Sequence, residues 1–521
     1  MAQDMTARTG ALPPDDGRDA PLSRWWAVAV VAVAAGVVFV AGANSDVVKG
    51  DEVYHFSFAE AWAHAGILHR PAFNPFYPSG EAGYYYAGDM FWGMLCSLVW
   101  QVTGIHQWAA QGYQAAWYAL LLAMVYRLGR HLLGPRGALV ALLAAASMPM
   151  FTAFSVLLYV DVPGAAILLT ALVLVHEKHL VCAGLALGAA YLTKRNTFFL
   201  VPALALVVAW PRGPILDRAK RLALLFAPAA LVVGAEWLWR RGLFPPLYDP
   251  LQPKYLLARL GTFFSRQQLV SNLNNPLHLV AYYGPVVSAL AVLYVVRRAW
   301  QRADRWLWAL LAGYTVVLMG MFSVDTEVRY TMPAAPLVAV LAARGFSRWW
   351  RRPWLLAGLA AAALASNVAT AAYVNRARLL SPSQQAVFQY LRTETPEDTR
   401  ILYPGEVIVT HARRQGVWSQ LVDPDIDRRC ITLFVAEKRP EKIRQILRHN
   451  RVDYVCVEEA RIHQDSDQIL SAGYPRSFVE RLDQLPFLHR LPGDRWPGIR
   501  LYRVRHEPDP PPPHQADDPV P

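Results

Sequence analysis

Residues 90–104, "MFWGMLCSLVWQVTG", are apolar almost throughout, yet fall short of the roughly 20 residues a helix needs to cross a bilayer. Whether they cross decides the topology of everything that follows. Around them lie eleven other apolar runs, near 25–43, 107–126, 138–157, 162–177, 180–193, 197–210, 222–239, 279–296, 306–322, 332–346 and 353–373. If those eleven are the spans, the basic stretches 127–136 ("RLGRHLLGPR"), Lys178, 212–221, 297–305 and 344–352 all fall on one side, which the positive-inside rule makes the cytoplasm. A twelfth span at 90–104 would turn every later Arg-rich loop outward. We therefore read 90–104 as a re-entrant or interfacial helix. The fold class expected is mainly α: a polytopic membrane helix bundle of about 11 transmembrane helices, followed by a soluble α/β domain.

Composition excludes an ordinary soluble protein, since the 521 residues are 54% hydrophobic and only 17% charged. The net charge of +12 would suggest nucleic acid in a soluble chain, but here the Lys and Arg sit in short loops between apolar runs. They serve orientation, and no nucleic-acid partner is expected. Residues 1–24 read as a disordered cytoplasmic N-terminus. The run 25–43 is longer than the roughly 7–15 residues of a signal-peptide core and reads as an uncleaved anchor. The membrane domain then covers 25–373, with a first extracytoplasmic loop at 44–106. From 381 to 505 the pattern changes to a soluble extracytoplasmic α/β module, with strands at "RILYPG", "VDYVCVEEA" and "GIRLYRVR" between helical segments. Residues 506–521 are a Pro-rich disordered tail. The four cysteines show no CxxC spacing and no nearby His, and Cys430 and Cys456 would pair only in an oxidising compartment.

The first loop is where polar chemistry gathers. "KGDEVYHFSFAEAWAHAG" (49–66) places Asp51 and Glu52 at the start of a segment of helical spacing, with His55 one turn on. Asp51 also has the makings of a helix N-cap. The rest of the loop carries Tyr85, Tyr86 and Asp89, so it is far richer than a connector needs. Asp161 in "LLYVDVPG" lies at a membrane boundary, where an isolated acid is costly unless it acts or starts a helix. Lys194 and Arg195 in "YLTKRN" and Arg329 in "SVDTEVRYTMP" fall on the side that topology depletes of cations. Pairing with Asp325 or Glu327 is the plainer alternative for Arg329. Acids able to take a proton and cations able to hold a phosphate, on one membrane face, fit a sugar carried on a polyprenyl phosphate.

In these motifs the sequence resembles the GT-C superfamily of integral-membrane glycosyltransferases, in the branch of protein O-mannosyltransferases and the lipid A aminoarabinose transferase. The resemblance covers roughly residues 25–350. "GDEVYHFSFAEAW" is similar to the Asp-Glu motif of the first extracytoplasmic loop and "YYYAGDMFWGMLCSLVWQVTG" to the segment that ends it. "YVDVPGAAILLTALVL" resembles the second acidic motif, "GLALGAAYLTKRN" the Leu-Thr-Lys segment and "VRYTMPAAPLVAVLAARG" the Arg-Tyr segment. The resemblance implies Asp51 as general base, with Glu52 placing the acceptor. It implies Asp161, Lys194, Arg195, Arg329 and Tyr330 around the donor's phosphate and sugar. His55, Tyr85, Tyr86 and Asp89 would form the acceptor or loop surface. The chain departs from the family in lacking Pro-Pro before the loop aromatics and in carrying Arg195 and Asn196 where Gly is common.

Some members of the superfamily use a divalent ion and others do not. Asp51 and His55 have i, i+4 spacing, so a metal stays open, and no ligand set is assigned. The expected partners are a polyprenyl-phosphate sugar donor, membrane lipids and an extracytoplasmic acceptor, at the inner or plasma membrane. The rival expectation is a polytopic transporter of an anionic or lipid-linked substrate, which would place its polar groups at the bilayer midplane. Topology has its own test. A phosphatase reporter fused after residue 380 is expected to be active and a cytoplasmic reporter at the same place inactive; the reverse pattern would overturn the orientation.

Overall fold

The computed structural model of the chain describes residues 20–45, 51–65, 90–209, 214–243, 276–298, 328–346, 352–404, 407–417, 421–426, 428–429, 431–463 and 474–506. The expected span at 306–322 and Tyr85, Tyr86, Asp89 and Cys430 lie outside the described residues. The described residues form two compact units, one of 20–45, 54–65 and 90–379, the other of 51–53 and 380–506.

The first unit is helical. Its elements are α1 (Ala20–Ala43), α2 (Asp51–Ala65, whose first three residues group with the second unit), α3 (Met90–Thr103), α4 (Gln107–Ala146), α5 (Pro149–Val156), α6 (Asp161–His176) and α7 (Leu180–Thr193). There follow α8 (Val201–Ala209), α9 (Ile215–Leu243), α10 (Pro276–Tyr283), α11 (Pro285–Arg298), α12 (Ala335–Gly345) and α13 (Pro353–Ala377). Helix α4 is central: it packs on α1, α6, α12 and α13, and α6 hands the packing on to α7 and α7 to α9. Tight approach between α7 and α9 rests on the "GLALG" stretch. A Cβ at Gly184 would lie 2.1 Å from the Leu225 carbonyl oxygen, and one at Gly188 2.8 Å from Val232 Cβ. Small residues four apart allow such close helix contact, which matters where no water drives association.

Among the described residues, three helices are long and apolar enough to cross a membrane: Ser23–Ala43, Ile215–Trp239 and Pro353–Ala377. A fourth candidate, Gln107–Ala146 with Pro149–Val156, is bent by 56°. Phe91–Thr103, Asp161–His176 and Leu180–Thr193 are apolar but shorter. Helix α3 rises only about 21 Å at 1.5 Å per residue, against a hydrocarbon core of about 30 Å.

Several expected boundaries are corrected. The first helix starts at Ala20, ahead of the expected Trp25, because Pro21 in the first turn loses no internal hydrogen bond. The basic stretch 127–136, expected as a loop, continues helix α4 until Gly134, whose φ of 76° breaks the helix before Pro135. The expected single span at 138–157 is divided after Ala146. Met148 precedes Pro149 and takes the extended conformation that a following proline favours. The expected run 279–296 is likewise split, between Tyr283 and Pro285.

Helix α13 fastens the break between α4 and α5. Asn367 is buried; its amide donates to the carbonyls of Ala146 and of Ala363, and its oxygen accepts from Thr152 (2.6 Å) and Tyr118 (3.2 Å). Ser366 donates to the Ser147 carbonyl at 2.8 Å, and buried Arg378 donates to the Val156 carbonyl at 2.7 Å. Carbonyls that the break strips of helical partners are thereby satisfied.

The second unit holds a five-stranded sheet. In chain order the strands are β1 (Arg400–Leu402), β2 (Gln415–Val417), β3 (Val422–Asp423), β4 (Arg428–Arg429), β5 (Tyr454–Glu458), β6 (Ile462–His463), β7 (Tyr474–Pro475), β8 (Leu488–Arg490) and β9 (Ile499–Val504). The sheet order is β2-β1-β5-β9-β8, with β2, β1 and β5 parallel and β9 antiparallel to both neighbours. Its helices are α14 (Pro382–Glu394), α15 (Val407–Ala412), α16 (Ile431–Ala436), α17 (Pro440–His449) and α18 (Arg476–Leu482). Ser381 and Gln384 form a capping box on α14, and the Gln384 amide also donates to Glu458 at 2.5 Å. Glu458 further accepts from Tyr403 and pairs with Arg461 at 2.6 Å. Burial pushes the Tyr403 phenol up, so it stays a donor to that carboxylate. Cys456 is a buried free thiol.

Replacing Asn367 by Leu is expected to cost about 1–3 kcal/mol, because the Ala146 carbonyl and two hydroxyls lose a buried partner. Thermal unfolding of the purified protein in detergent measures it; an unchanged midpoint would refute the fastening role.

Candidate functional site

Asp161, Lys194, Arg329 and Tyr330 gather at one end of the bundle, and short backbone irregularities put them there. Helix α5 ends at Val156. Leu158, fully buried, takes a φ of 23°, a region costly for a leucine, and the turn closes with the Tyr159 N–H donating to the Phe154 carbonyl at 3.3 Å. The chain then re-enters a helix at Asp161, where a carboxylate meets the positive end of the helix dipole. Asp161 is 2% exposed, and neither carboxylate oxygen has a hydrogen-bond partner among the described residues.

Lys194 faces it, with Nζ 3.6 Å from Asp161 Oδ2. Lys194 ends α7 in an extended conformation, its N–H donating to Ala190 and its carbonyl accepting from the Thr197 N–H and hydroxyl. A 3-10 helix, Arg195–Leu200, follows directly. The approach of this turn to α6 depends on Gly164, where a Cβ would stand 2.8 Å from Lys194 Cβ. A second 3-10 helix, Val328–Ala334, brings Arg329 and Tyr330, and Tyr283 donates to its Thr331 carbonyl at 3.3 Å. The Lys194 ammonium lies 5.8 Å from the Tyr330 ring centre, and the Arg329 guanidinium 5.2 Å from Tyr159 and 5.5 Å from Tyr330. Aromatic faces hold cations in place while leaving their hydrogen-bond donors to other groups.

Four of the residues singled out in the sequence therefore meet: Asp161, Lys194, Arg329 and Tyr330. Arg195 makes none of these contacts, and its Nε has no hydrogen-bond partner among the described residues. Asp51 is the first residue of α2, but its side chain lies outside the described residues. Glu52 is fully buried, and buried His55 sets its ring 5.9 Å from Trp92. Among the described residues no three His, Cys, Asp or Glu side chains converge as a metal site would require.

Sequence reasoning missed Tyr159, Trp92 and Gln114. Gln114, fully buried in α4, accepts from Trp92 Nε1 at 2.8 Å and donates to the Tyr159 carbonyl at 2.8 Å. The helix of the first loop is thereby joined to the cation cluster: His55 to Trp92, Trp92 to Gln114, Gln114 to Tyr159, and Tyr159 to Arg329. The signal was present, since a glutamine inside an apolar run is a marked residue.

The other end of the bundle, at the C-terminus of α6, carries Arg127, His131, Glu177 and Arg344. Arg127 makes two 2.7 Å bonds to Glu177, His131 a third at 2.8 Å, and Arg344 donates to the Leu132 carbonyl. Burial would raise the Glu177 pKa, but His131 and Arg127 together hold it below the ordinary value. Helix α6 runs between the ends, about 24 Å by its rise.

Residues 90–239 match the family model described as dolichyl-phosphate-mannose-protein mannosyltransferase. No curated protein sequence matches the chain. Among solved structures, ArnT from Cupriavidus metallidurans bound to undecaprenyl phosphate is similar over 92% of this chain and 98% of its own, at 15% identity and a TM-score of 0.64. The same protein in its apo state gives a TM-score of 0.62 at 14% identity, with the same coverage of both chains. The oligosaccharyltransferase of Archaeoglobus fulgidus is similar over 82% of this chain and 68% of its own, at 14% identity and a TM-score of 0.57. At these identities the likeness speaks for the fold.

Lys194→Met is expected to cost about 3 kcal/mol by leaving Asp161 buried without its cation. Lys194→Met combined with Asp161→Asn should recover most of that loss. Thermal unfolding of the two single variants and the double variant measures the coupling, and strictly additive losses would dismiss the pair as an energetic unit.

Proposed function

The GT-C fold read in the sequence is the fold of this chain, and on that footing we propose that it is a membrane glycosyltransferase moving a sugar from a polyprenyl-phosphate donor to an extracytoplasmic acceptor. The observation that carries the reading is the cluster in which Lys194 pairs with Asp161 and shares the Tyr330 ring with Arg329, at the bundle end away from the Arg127, His131 and Glu177 group. The structural neighbour that holds undecaprenyl phosphate supports the same class of donor.

In this reading the lipid phosphate lies against Lys194 and Arg329. Asp51 takes the proton of the acceptor hydroxyl, whose oxygen attacks the anomeric carbon from the face opposite the phosphate. The bond between that carbon and the phosphate oxygen breaks, and the sugar is transferred with inversion. Charge grows on the departing phosphate as the bond breaks, so cations already in place stabilise the transition state more than the ground state. Tyr159 and Tyr330 keep those cations oriented. Glu52, next to Asp51 and buried, places the acceptor, and His55 belongs to the same surface. The basic end faces the cytoplasm, the cation cluster faces out, and the second unit is extracytoplasmic.

The test supplies radiolabelled polyprenyl-phosphate sugars and cell-envelope acceptors to the purified protein. Asp51→Asn is expected to lower transfer at least about 100-fold while the donor still binds, as for loss of a general base. Arg329→Leu is expected to weaken donor binding. Full transfer by the Asp51 variant would remove it as base. Failure of every donor, together with uptake of an anionic substrate into proteoliposomes, would establish a transporter instead.

A further inference from the structure

Two residues beyond Lys194 the chain carries a feature the cation cluster does not use. Asn196 is 7% exposed, and neither its amide nitrogen nor its amide oxygen has a hydrogen-bond partner among the described residues. Buried amides are nearly always bonded, because desolvation without a partner is costly. Other polar groups of this end are in the same condition: both Asp161 oxygens and Arg195 Nε have no hydrogen-bond partner among the described residues. The 3-10 turn that holds Asn196 is closed by Thr197 donating twice to the Lys194 carbonyl, and Lys194 and Thr197 both lie against α6 at Gly164. Asn196 therefore sits in the turn that presents Lys194 to Asp161.

We propose that Asn196 is a specificity residue that hydrogen-bonds a hydroxyl of the donor's sugar, an inference that rests on the glycosyltransferase reading. The chemistry selects the sugar over the phosphate. An asparagine offers donors on one atom and an acceptor on the other, and Asp161, which the same turn meets through Lys194, offers acceptors alone. The donor's phosphate, a singly charged diester, brings only acceptors and would leave the Asn196 oxygen and the Asp161 carboxylate unmatched. A sugar hydroxyl both donates and accepts. Lys194 and Arg329 thus serve the phosphate, and Asn196 with Asp161 serves the sugar. A donor whose hydroxyl meets the buried amide is favoured over an analogue lacking it, which would leave the amide unmatched.

Asn196→Leu in the full-length protein, in detergent, tests this with three measurements. Its unfolding temperature without ligand is expected to equal or exceed that of the unchanged protein, since an unmatched amide has gone. Binding of undecaprenyl phosphate alone should stay within about twofold, whereas KM for the sugar-bearing donor should rise about tenfold or more with a smaller change in kcat. Asn196→Asp, which keeps only acceptor atoms, should fall between the two. A lower unfolding temperature with both ligands weakened equally would make Asn196 structural and overturn the proposal. Unchanged KM in a protein that transfers sugar would overturn it as well, leaving the glycosyltransferase reading intact. If the unchanged protein neither binds undecaprenyl phosphate nor transfers any sugar, both readings fall.

Discussion

A carboxylate and an ammonium 3.6 Å apart, both nearly shut off from solvent, set the terms for one end of the helix bundle. Removing two such charges from water costs several kcal/mol each, and the attraction between them repays this only when further hydrogen bonds complete the shell. At Asp161 those bonds are missing among the described residues. The pair is better understood as a poised site than as a source of stability, and much around it serves to hold it: Gly164 admits the Lys194 stem, the turn at Leu158 aims Tyr159, and aromatic rings flank Arg329.

The pair is connected to the first loop through one buried residue. Gln114 meets the indole of Trp92 with its oxygen and the Tyr159 carbonyl with its nitrogen, so neither end can shift without breaking a buried hydrogen bond. The α2 side chains behind Trp92 pack closely as well, since a Cβ on Gly93 would stand 3.4 Å from the Trp62 ring. An acceptor held near the first loop and a donor held near Lys194 would share this rigid frame.

Much of this was legible in the sequence. Apolar runs and the distribution of arginines pointed to a helical bundle, and the depletion of cations on one face made Lys194 and Arg329 conspicuous. The breaks inside helices were less legible, because they depend on Gly134 adopting a positive φ and on tertiary bonds from Asn367, neither of which periodicity reports. The short strands β2 and β8 were missed because each holds a single apolar residue, Val417 or Leu488, where β1 of the same length holds Ile401 and Leu402 together. Asn196 was noted only as a departure from a family pattern. Its significance lies in what its amide does not touch, and a string of letters cannot express an unmet hydrogen bond.

The fastening of α13 onto the α4–α5 break also bears on how the chain is made. The Ala146 carbonyl finds its Asn367 partner 221 residues later in the sequence. At roughly 5–20 residues per second, a ribosome needs about ten to forty seconds to supply it. Throughout that interval the broken helix pair stands in or beside the membrane with bare carbonyls at its bend, an open seam that lipid cannot close. Biogenesis of this bundle therefore includes a waiting period in which its most irregular turn relies on water or on the insertion machinery, and ends when the last helix of the bundle arrives.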